Sequence, residues 1–225
     1  ALPILFMIER FDMKSKRVVC AALFVVLSLL VLQGCASSVV DFFRWVERTK
    51  TGVSEKSVQV DDHTIAYLEG GKGETILLLH GFGDSKDSWV KFARPLAKKY
   101  HVMIVDLPGF GASTKIMTQS YDMNTQLARM NAFLDKAGVG KFHVAGNSMG
   151  GLLAGMLAAQ HPDRVLSLAL LDTYGIGNRE ESGLVQNLKK GINPMIVEKP
   201  EDYDRLLQFM FVKPPSIPGP LKKYL

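Results

Sequence analysis

Ser148 has the sequence surroundings of an attacking serine. It lies in Gly146-Asn147-Ser148-Met149-Gly150, which has the spacing G-x-S-x-G. Glycines at these positions allow a strand and a helix to meet in a turn that is too tight for a Cβ. A serine hydroxyl held in such a turn can attack a carbonyl carbon, and the N–H of Met149 then points toward the oxyanion that forms. The alternative is an ordinary serine in a glycine-rich turn.

The order strand, turn, helix gives this serine pattern its meaning. Residues 142–145 form an apolar, β-branched run that is typical of a buried strand, and residues 152–159 form an apolar run that is typical of a helix. Two further buried strands, at residues 75–79 and from His101 onward, also end in glycine-rich turns. Helical stretches are predicted at residues 88–99, 124–137 and 149–161. This alternation predicts an α/β fold with a parallel sheet and right-handed crossovers.

Four motifs resemble those of the α/β-hydrolase fold family in their order and spacing. They are His80-Gly81-Phe82-Gly83, Asp106-Leu107-Pro108-Gly109-Phe110-Gly111, Gly146-Asn147-Ser148-Met149-Gly150-Gly151 and His161-Pro162-Asp163-Arg164-Val165. The resemblance covers about residues 58–225 and implies a mostly parallel sheet with helices on both faces. It is greatest to membrane-associated bacterial lipases and esterases, and next to hydrolases that cleave C–C bonds in products of aromatic ring fission.

Carried over to this chain, the family pattern implies Ser148 as the nucleophile and the backbone N–H groups of Phe82 and Met149 as the oxyanion donors. Asp106 matches a position that is structural in the family. The expected function is a serine hydrolase of carboxylic esters, a lipase or esterase, and this reaction needs no cofactor and no metal ion. The alternatives are a C–C bond hydrolase of ring-fission products and a non-catalytic lipoprotein that uses the same cleft for binding.

The family places an acid and a histidine after the serine, and here the sequence departs from the pattern. Of the five histidines, only His161 follows Ser148. It lies thirteen residues along the same predicted helix, which places it roughly 20 Å away. His143 and His101 begin strands and are expected at the opposite edge of the sheet, with His143 about 16 Å from the serine. None of these rings is expected to reach the serine hydroxyl.

The remaining histidines are also expected to have other roles. His63 is predicted in a polar hairpin turn, and His80 is interpreted as a structural ring in the oxyanion loop rather than as a base. Asp172 ends a strand predicted at residues 167–171 and is a candidate triad acid, the alternative being an aspartate that caps the next turn. The catalytic histidine, and the acid if it is not Asp172, are therefore expected beyond Leu225.

After the last predicted strand the alternation of strands and helices stops. Residues 175–225 contain Gly- and Pro-rich breaks around apolar stretches such as residues 206–212. This resembles the start of the cap that covers the acyl pocket in the lipases named above. The chain is therefore predicted to be an α/β-hydrolase core at residues 58–174 that is truncated within its cap. Residues 1–12 are a candidate untranslated stretch, because the first methionine that starts a signal-like segment is Met13.

A lipoprotein signal is predicted at the N-terminus. Residues 13–17 are basic, residues 18–32 form an uncharged apolar run too short to span a bilayer, and Leu32-Gln33-Gly34-Cys35 resembles a lipobox. The resemblance implies a signal peptide at residues 1–34, a lipidated Cys35, and a membrane-proximal tether at residues 35–57. The alternative is an uncleaved membrane anchor. Both place the protein in the bacterial cell envelope, with the lipoprotein at the outer membrane or facing the periplasm.

Composition narrows the possible partners. The formal net charge is +5, and three of these charges come from Lys14, Lys16 and Arg17 in the predicted signal peptide. The mature chain is then only mildly basic, and it has no basic patch typical of nucleic-acid binding, no metal cluster and no dinucleotide fingerprint. The expected partners are a lipid or small ester substrate and a membrane, reached through the lipid anchor, with no nucleic acid.

Overall fold

A computed structural model describes residues 36–177 and 181–216 of the chain. In these ranges the strands are β1 (Val53–Val60), β2 (His63–Gly70), β3 (Thr75–Leu79), β4 (His101–Val105), β5 (Phe142–Asn147) and β6 (Val165–Leu171). The helices are α1 (Ala36–Thr51), α2 (Val90–Leu96), α3 (Met123–Lys136), α4 (Met149–Gln160), α5 (Gly183–Lys189) and α6 (Asp202–Met210), with a 3-10 helix at Lys86–Trp89. Residues 44–214 form one compact unit that contains the whole sheet, and the first turns of α1, up to Phe43, belong to another.

The six strands form one sheet in the order β1-β2-β4-β3-β5-β6. Strands β4, β3, β5 and β6 are parallel, while β1 and β2 form an antiparallel hairpin whose second strand is also antiparallel to β4. The predicted α/β fold with a mostly parallel sheet is confirmed. β1 pairs with β2 from Val53 onward, so the sheet begins inside the segment that the sequence indicated as a tether, five residues before the expected core boundary at Val58.

Helices cover both faces of the central strands, because alternate residues of a strand point to opposite faces. On one face, Leu77 and Leu79 of β3 pack in a core with Phe133 of α3 and Leu157 of α4. On the other face, the core contains the alternating strand residues Ile76, Leu78, Val102 and Ile104. They pack with Trp89, just before α2, and with Val90 and Ala93 of α2. The apolar side chains of β3 and β4 are therefore buried on both faces of the sheet.

The carboxyl ends of the parallel strands meet at one edge, and this edge carries the residues of chemical interest. Leu79, the last residue of β3, pairs with Val105 of β4 and with Gly146 of β5. Asn147 of β5 pairs in turn with Leu171 of β6. The segments that follow these four strands consequently leave the sheet side by side, as ligand-binding loops do in open α/β sheets.

Several predicted features of the chain ends fall outside the described residues. The signal peptide at residues 1–34 and Cys35 are among them, as are residues 217–225 of the predicted cap. In the part that the structure describes, no helix is both long enough and apolar enough to cross a bilayer. The described part of the predicted cap contains the short helices α5 and α6.

Candidate active site

Ser148 occupies a strained turn between β5 and α4. Its φ of 51° and ψ of −115° lie outside the regions that side chains with a Cβ normally adopt. The backbone around it is bound on both sides. The N–H of Ser148 donates to Leu171 O at 2.9 Å, and Ser148 O accepts from the N–H groups of Tyr174 at 3.1 Å and Gly151 at 3.0 Å. These contacts hold the serine at the carboxyl edge of the sheet in a conformation typical of a nucleophile elbow.

The glycine before the serine is required by a close approach of strand and helix. A Cβ built on Gly146 would lie 2.1 Å from the carbonyl oxygen of Gly150. No real Cβ tolerates such a distance to a backbone atom, so any side chain at this position would force β5 and α4 apart. The turn that presents Ser148 therefore depends on a glycine at position 146.

Two backbone donors flank Ser148. Gly81 packs against it, since a Cβ built on Gly81 would lie 3.4 Å from the Cβ of Ser148, and Phe82 is the next residue. Met149 is the first residue of α4, where the N-terminal N–H groups of a helix have no partner within the helix. Within the described ranges, neither the Phe82 N–H nor the Met149 N–H donates a hydrogen bond. Both groups are thus free to bind an oxygen that develops negative charge beside the serine.

His80 holds one end of the loop that carries Phe82. Its ring is fully buried; Nδ1 donates to Gly81 O at 2.7 Å, and Nε2 accepts from the Leu107 N–H at 3.0 Å. An acceptor at Nε2 fixes the neutral tautomer with its proton on Nδ1. Burial lowers the pKa of His80, which also favours the neutral ring. Because both ring nitrogens are in use, these contacts support a structural role and leave no lone pair for a proton from Ser148.

Asp106 holds the other end of the same loop. Its buried carboxylate accepts the Lys86 N–H at 2.7 Å, the Lys86 ammonium at 2.6 Å and the Ala112 N–H at 2.8 Å. All of these donors are backbone or lysine groups of the loops that follow β3 and β4. The carboxylate is therefore occupied in joining the two loops, which supports a structural role for Asp106.

The remaining histidine rings are bound away from the serine. His101 and His143 lie at the amino ends of β4 and β5, and they contact Glu69 at 2.7 Å and Ser167 at 2.8 Å respectively. Ser148 follows the opposite, carboxyl end of β5. His101 and His143 are thus separated from the nucleophile by the length of a strand.

His63 and His161 are also occupied elsewhere. His63 is buried at the start of β2, between Asp62 at 2.6 Å and the hydroxyl of Tyr121 at 3.1 Å. His161 directly follows α4 and contacts Asn131 at 2.9 Å. No histidine in the described part of the chain makes a hydrogen bond to Ser148 or to Asp172.

Asp172 lies on the same edge of the sheet as the nucleophile. It directly follows β6, is exposed, and has a φ of 43°, which is strained for a residue other than glycine. Its neighbours in sequence contact the elbow, because Leu171 O and the Tyr174 N–H both bind the Ser148 backbone. Asp172 is therefore flanked in sequence by residues that bind the Ser148 backbone.

Sequence reasoning missed Lys86. It stands in the polar run Asp84-Ser85-Lys86-Asp87-Ser88, which is typical of a solvated loop, yet only 3% of the residue is exposed. The available signal was an aspartate at the end of a buried strand, Asp106, because a buried carboxylate requires a donor or a cation. The sequence does not indicate which lysine supplies the charge.

Several known proteins that this chain resembles are named as lipases. The chain is similar to Lipase 1 of Psychrobacter immobilis, with 36% identity over 183 residues that cover 78% of this chain and 56% of that protein. Monoacylglycerol lipase abhd6-A of Xenopus laevis is 32% identical over 176 residues, which cover 76% of this chain and 50% of that protein. The chain spans about half the length of the curated relatives it matches.

A solved structure gives a closer likeness. The crystal structure of a membrane phospholipase A, a bacterial virulence factor, is 47% identical with a TM-score of 0.82, and the match covers 93% of this chain and 68% of that one. The family model for the alpha/beta hydrolase fold matches residues 74–205, a range that contains the elbow, the Phe82 loop and the parallel strands. The chain belongs to the α/β-hydrolase fold family.

Proposed function

We propose that this protein is a serine hydrolase of carboxylic esters, of the lipase or esterase type. The observation that carries the proposal is the strained Ser148 turn, with the unbonded N–H groups of Phe82 and Met149 on either side of it. A serine between two preorganised donors suits the attack on an ester carbonyl, because negative charge develops on the carbonyl oxygen. The similarity to lipases supports the same chemistry.

The reaction proceeds through an acyl-enzyme. The Ser148 Oγ bonds to the ester carbonyl carbon while its proton passes to a general base, and the N–H groups of Phe82 and Met149 hold the oxyanion. The C–O bond to the alcohol then breaks, and the alcohol leaves with the proton that the base returns. Water attacks the acyl-serine in the same way and releases the carboxylic acid. No cofactor enters this scheme.

The general base is not one of the five histidines of this sequence. Four rings are bound at other places in the fold, and the nearest, His80, already accepts a backbone N–H at Nε2. The 225-residue chain alone is therefore expected to retain only residual esterase activity, because loss of the histidine costs on the order of 10⁶ in kcat in a comparable serine hydrolase.

Assay of this 225-residue chain beside its His80→Ala variant tests the assignment of the base. Equal, residual rates in both proteins are expected. Ordinary enzyme rates in the 225-residue chain that disappear in folded His80→Ala would identify His80 as the base and overturn the assignment.

The substrate is an ester with an apolar acyl chain. Phe82, Tyr174 and Ile176 belong to segments that touch the Ser148 turn, and their large side chains are exposed. Apolar side chains around a nucleophile favour an apolar substrate over a charged one, because water is released when they are covered. The apolar stretch at residues 206–212 is expected to add to this surface.

Turnover of matched substrates tests the proposed activity. These measurements use the form of the protein that hydrolyses esters, which is the form with its general base in place. It should hydrolyse p-nitrophenyl esters of several chain lengths faster than a dienoic ring-fission product. Ser148→Ala should lower kcat on the order of 10⁶-fold, whereas Ser57→Ala, at an exposed position on β1, should leave it unchanged. Faster cleavage of the ring-fission product would indicate the C–C hydrolase. A lack of turnover, together with no labelling of Ser148 by a fluorophosphonate, would indicate the non-catalytic lipoprotein.

The enzyme is attached to the bacterial cell envelope through Cys35. The proposal is supported by the short apolar run that ends in Gly34-Cys35, and by the membrane phospholipase A that the chain resembles. Acyl chains on a cysteine give stable anchoring, at about 0.8 kcal/mol per buried CH₂. Cys35→Ser should block processing and leave the longer precursor. A mutant that matures to the mass of the wild type would contradict the lipobox.

A further inference from the structure

The loop that carries Phe82 is fastened at both ends to consecutive residues after β4. At one end, the His80 ring accepts the N–H of Leu107. At the other end, Lys86 is bound to Asp106, which directly precedes Leu107. Between these two anchors, Gly81 is buried and residues 82–85 are exposed or half-buried. The place of the Phe82 N–H therefore depends on where the two anchors hold the loop.

Lys86 is fixed unusually firmly for a lysine. Its backbone N–H donates to Oδ1 of Asp106 at 2.7 Å, and its own ammonium donates to Oδ2 of the same carboxylate at 2.6 Å. The ammonium also lies 3.1 Å from Oε1 of Glu55 on β1. Main chain and side chain of one residue thus bind one buried group, which fixes both the position and the rotation of the residue.

A second charge pair holds the 3-10 helix that Lys86 begins. Asp87 accepts two hydrogen bonds from Arg48 of α1, from Nε at 2.7 Å and from Nη2 at 2.8 Å. Arg48 also donates to Glu55 at 2.7 Å, so that positive and negative groups alternate from α1 to Asp106. This network is concentrated at one end of the Phe82 loop.

We propose that Lys86 is a positioning residue of the oxyanion hole, whose ammonium, held by Asp106, sets where the Phe82 N–H lies relative to Ser148. The inference rests on the proposed function. A hydrogen-bond donor acts on a developing oxyanion only at a narrow range of distances, and a displacement of about 1 Å can cost about 100-fold in rate. A fastened Lys86 four residues beyond Phe82 keeps the loop within that range.

The test replaces the ammonium and keeps the backbone contact. Lys86→Met preserves the apolar stem and the N–H that donates to Asp106, and it removes the charge. Lys91→Met is the matched control, because Lys91 is exposed at the start of α2 and makes no ion pair within the described part of the chain. Glu55→Gln is a milder variant that neutralises the outer partner of the ammonium, a side chain that is 45% exposed and also accepts from Arg48.

Two measurements separate positioning from general stability. The first is hydrogen exchange of the backbone amides in residues 81–85 compared with those of β5. The second is kcat for an ester relative to the thionoester of the same acyl chain, measured in the form of the protein that hydrolyses esters. Sulfur accepts hydrogen bonds poorly, so a displaced donor slows the oxygen ester more than the thionoester.

Lys86→Met should lower kcat for the oxygen ester about 10- to 100-fold with little change in KM. The variant should also show a smaller preference for the oxygen ester over the thionoester. Its amide hydrogen exchange should be faster in residues 81–85 but not in β5, and Lys91→Met should behave as wild type. Equal slowing of both esters, or equally faster exchange in β5 and the loop, would overturn the proposal. If Lys86→Met does not fold, Glu55→Gln decides, and an unchanged ester-to-thionoester ratio overturns it.

A failure of the proposed esterase function gives different results from a failure of the proposed role of Lys86. A wild type without Ser148-dependent hydrolysis contradicts the esterase, and exchange in the loop of Lys86→Met still tests the fastening. Unchanged exchange in residues 81–85 would then show that the Lys86 ammonium does not hold the Phe82 loop.

Discussion

At the carboxyl edge of the sheet, the loops after β3 and β4 are held by buried, hydrogen-bonded residues, whereas β6 on the other side of β5 is largely exposed. The loops after β3 and β4 are fixed by His80 and Asp106, which are both fully buried and hydrogen-bonded to neighbouring loops. On the other side of β5, all residues of β6 except the half-buried Val165 are exposed, although four of them are large leucines. The nucleophile stands between these two environments.

This difference divides the site into two functional halves. Ser148 and the Phe82 and Met149 N–H groups depend on contacts among residues 79–174, all of which are described. The acid and base that would move the proton have no such support, since Asp172 is exposed and no histidine in the described ranges binds it. Substitutions in the described contacts can therefore test the half that holds the nucleophile and the oxyanion donors. The half that transfers the proton is tested by substitution of Asp172.

The largest expected effect concerns Asp172. If Asp172 is the triad acid, Asp172→Asn in the form that hydrolyses esters lowers kcat about 10⁴-fold, because a neutral amide no longer orients the histidine or stabilises its positive charge. Asp163→Asn, at an exposed position after α4, is the control and should behave as wild type. Steady-state kinetics with a p-nitrophenyl ester measures both. A near-normal kcat in Asp172→Asn removes this residue from the site and assigns the acid elsewhere.

The next effect compares buried and exposed strands directly. Leu77 of β3 has no exposed surface, and Leu168 of β6 is 41% exposed. In the 225-residue chain, Leu77→Ala should lower the free energy of unfolding by about 3 kcal/mol, because it leaves a cavity in the core. Leu168→Ala should cost about 1 kcal/mol, since much of the side chain already contacts water. Urea denaturation measures both values, and equal losses would mean that β6 is covered in solution.

A smaller effect is expected within the nucleophile half. Gly81→Ala adds a Cβ that would lie 3.1 Å from Oδ1 of Asn147 and 3.4 Å from the Cβ of Ser148. The Asn147 side chain or the Phe82 loop must move by a few tenths of an ångström. Displacement of the loop should lower kcat about tenfold without a loss of thermal stability. Gly140→Ala is the control, because a Cβ there meets no atom within 4 Å. If Gly81→Ala keeps wild-type kcat, the Asn147 side chain moves instead and the Phe82 loop is not displaced.

The regular elements were the most predictable part of the fold. The strand at residues 75–79 has the predicted bounds, and the predicted helix after Ser148 is found at Met149–Gln160. Their apolar runs encode burial on both faces, which is a local property of the sequence. β6 begins at Val165, two residues before its predicted start, because pairing with β5 extends it.

The contacts that fix the site could not be predicted in the same way. Nothing near Lys86 in sequence indicates that its ammonium is buried against Asp106, twenty residues away. The N–H of Leu107 that binds the His80 ring lies 27 residues away along the chain. Such contacts depend on the order of the strands in the sheet, in which β3 lies beside β4. That order is a property of the whole fold and cannot be read from either segment alone. The turn around Ser148 could be predicted from the sequence because its strand, turn and helix are contiguous along the chain.

The smallest expected effect concerns the pH dependence of the fixed half. Burial lowers the folded-state pKa of His80 below its ordinary value of 6.5. Below about pH 6.5 the unfolded chain therefore binds a proton that the folded protein excludes. The stabilising contribution of the neutral ring is complete above that pH and is lost as the pH falls toward the folded-state pKa, with a slope of at most about 1.4 kcal/mol per pH unit for one proton.

Replacement of the ring tests this assignment. His80→Gln keeps an acceptor for the Leu107 N–H but removes the titrating group, so its unfolding free energy should fall less steeply between pH 6.5 and 5 than that of the wild type. Urea denaturation at several pH values measures the slopes. Identical slopes in His80→Gln and wild type would mean that the ring is protonated in the folded protein, which is incompatible with a Leu107 N–H donating to Nε2 and would leave that end of the Phe82 loop unfastened.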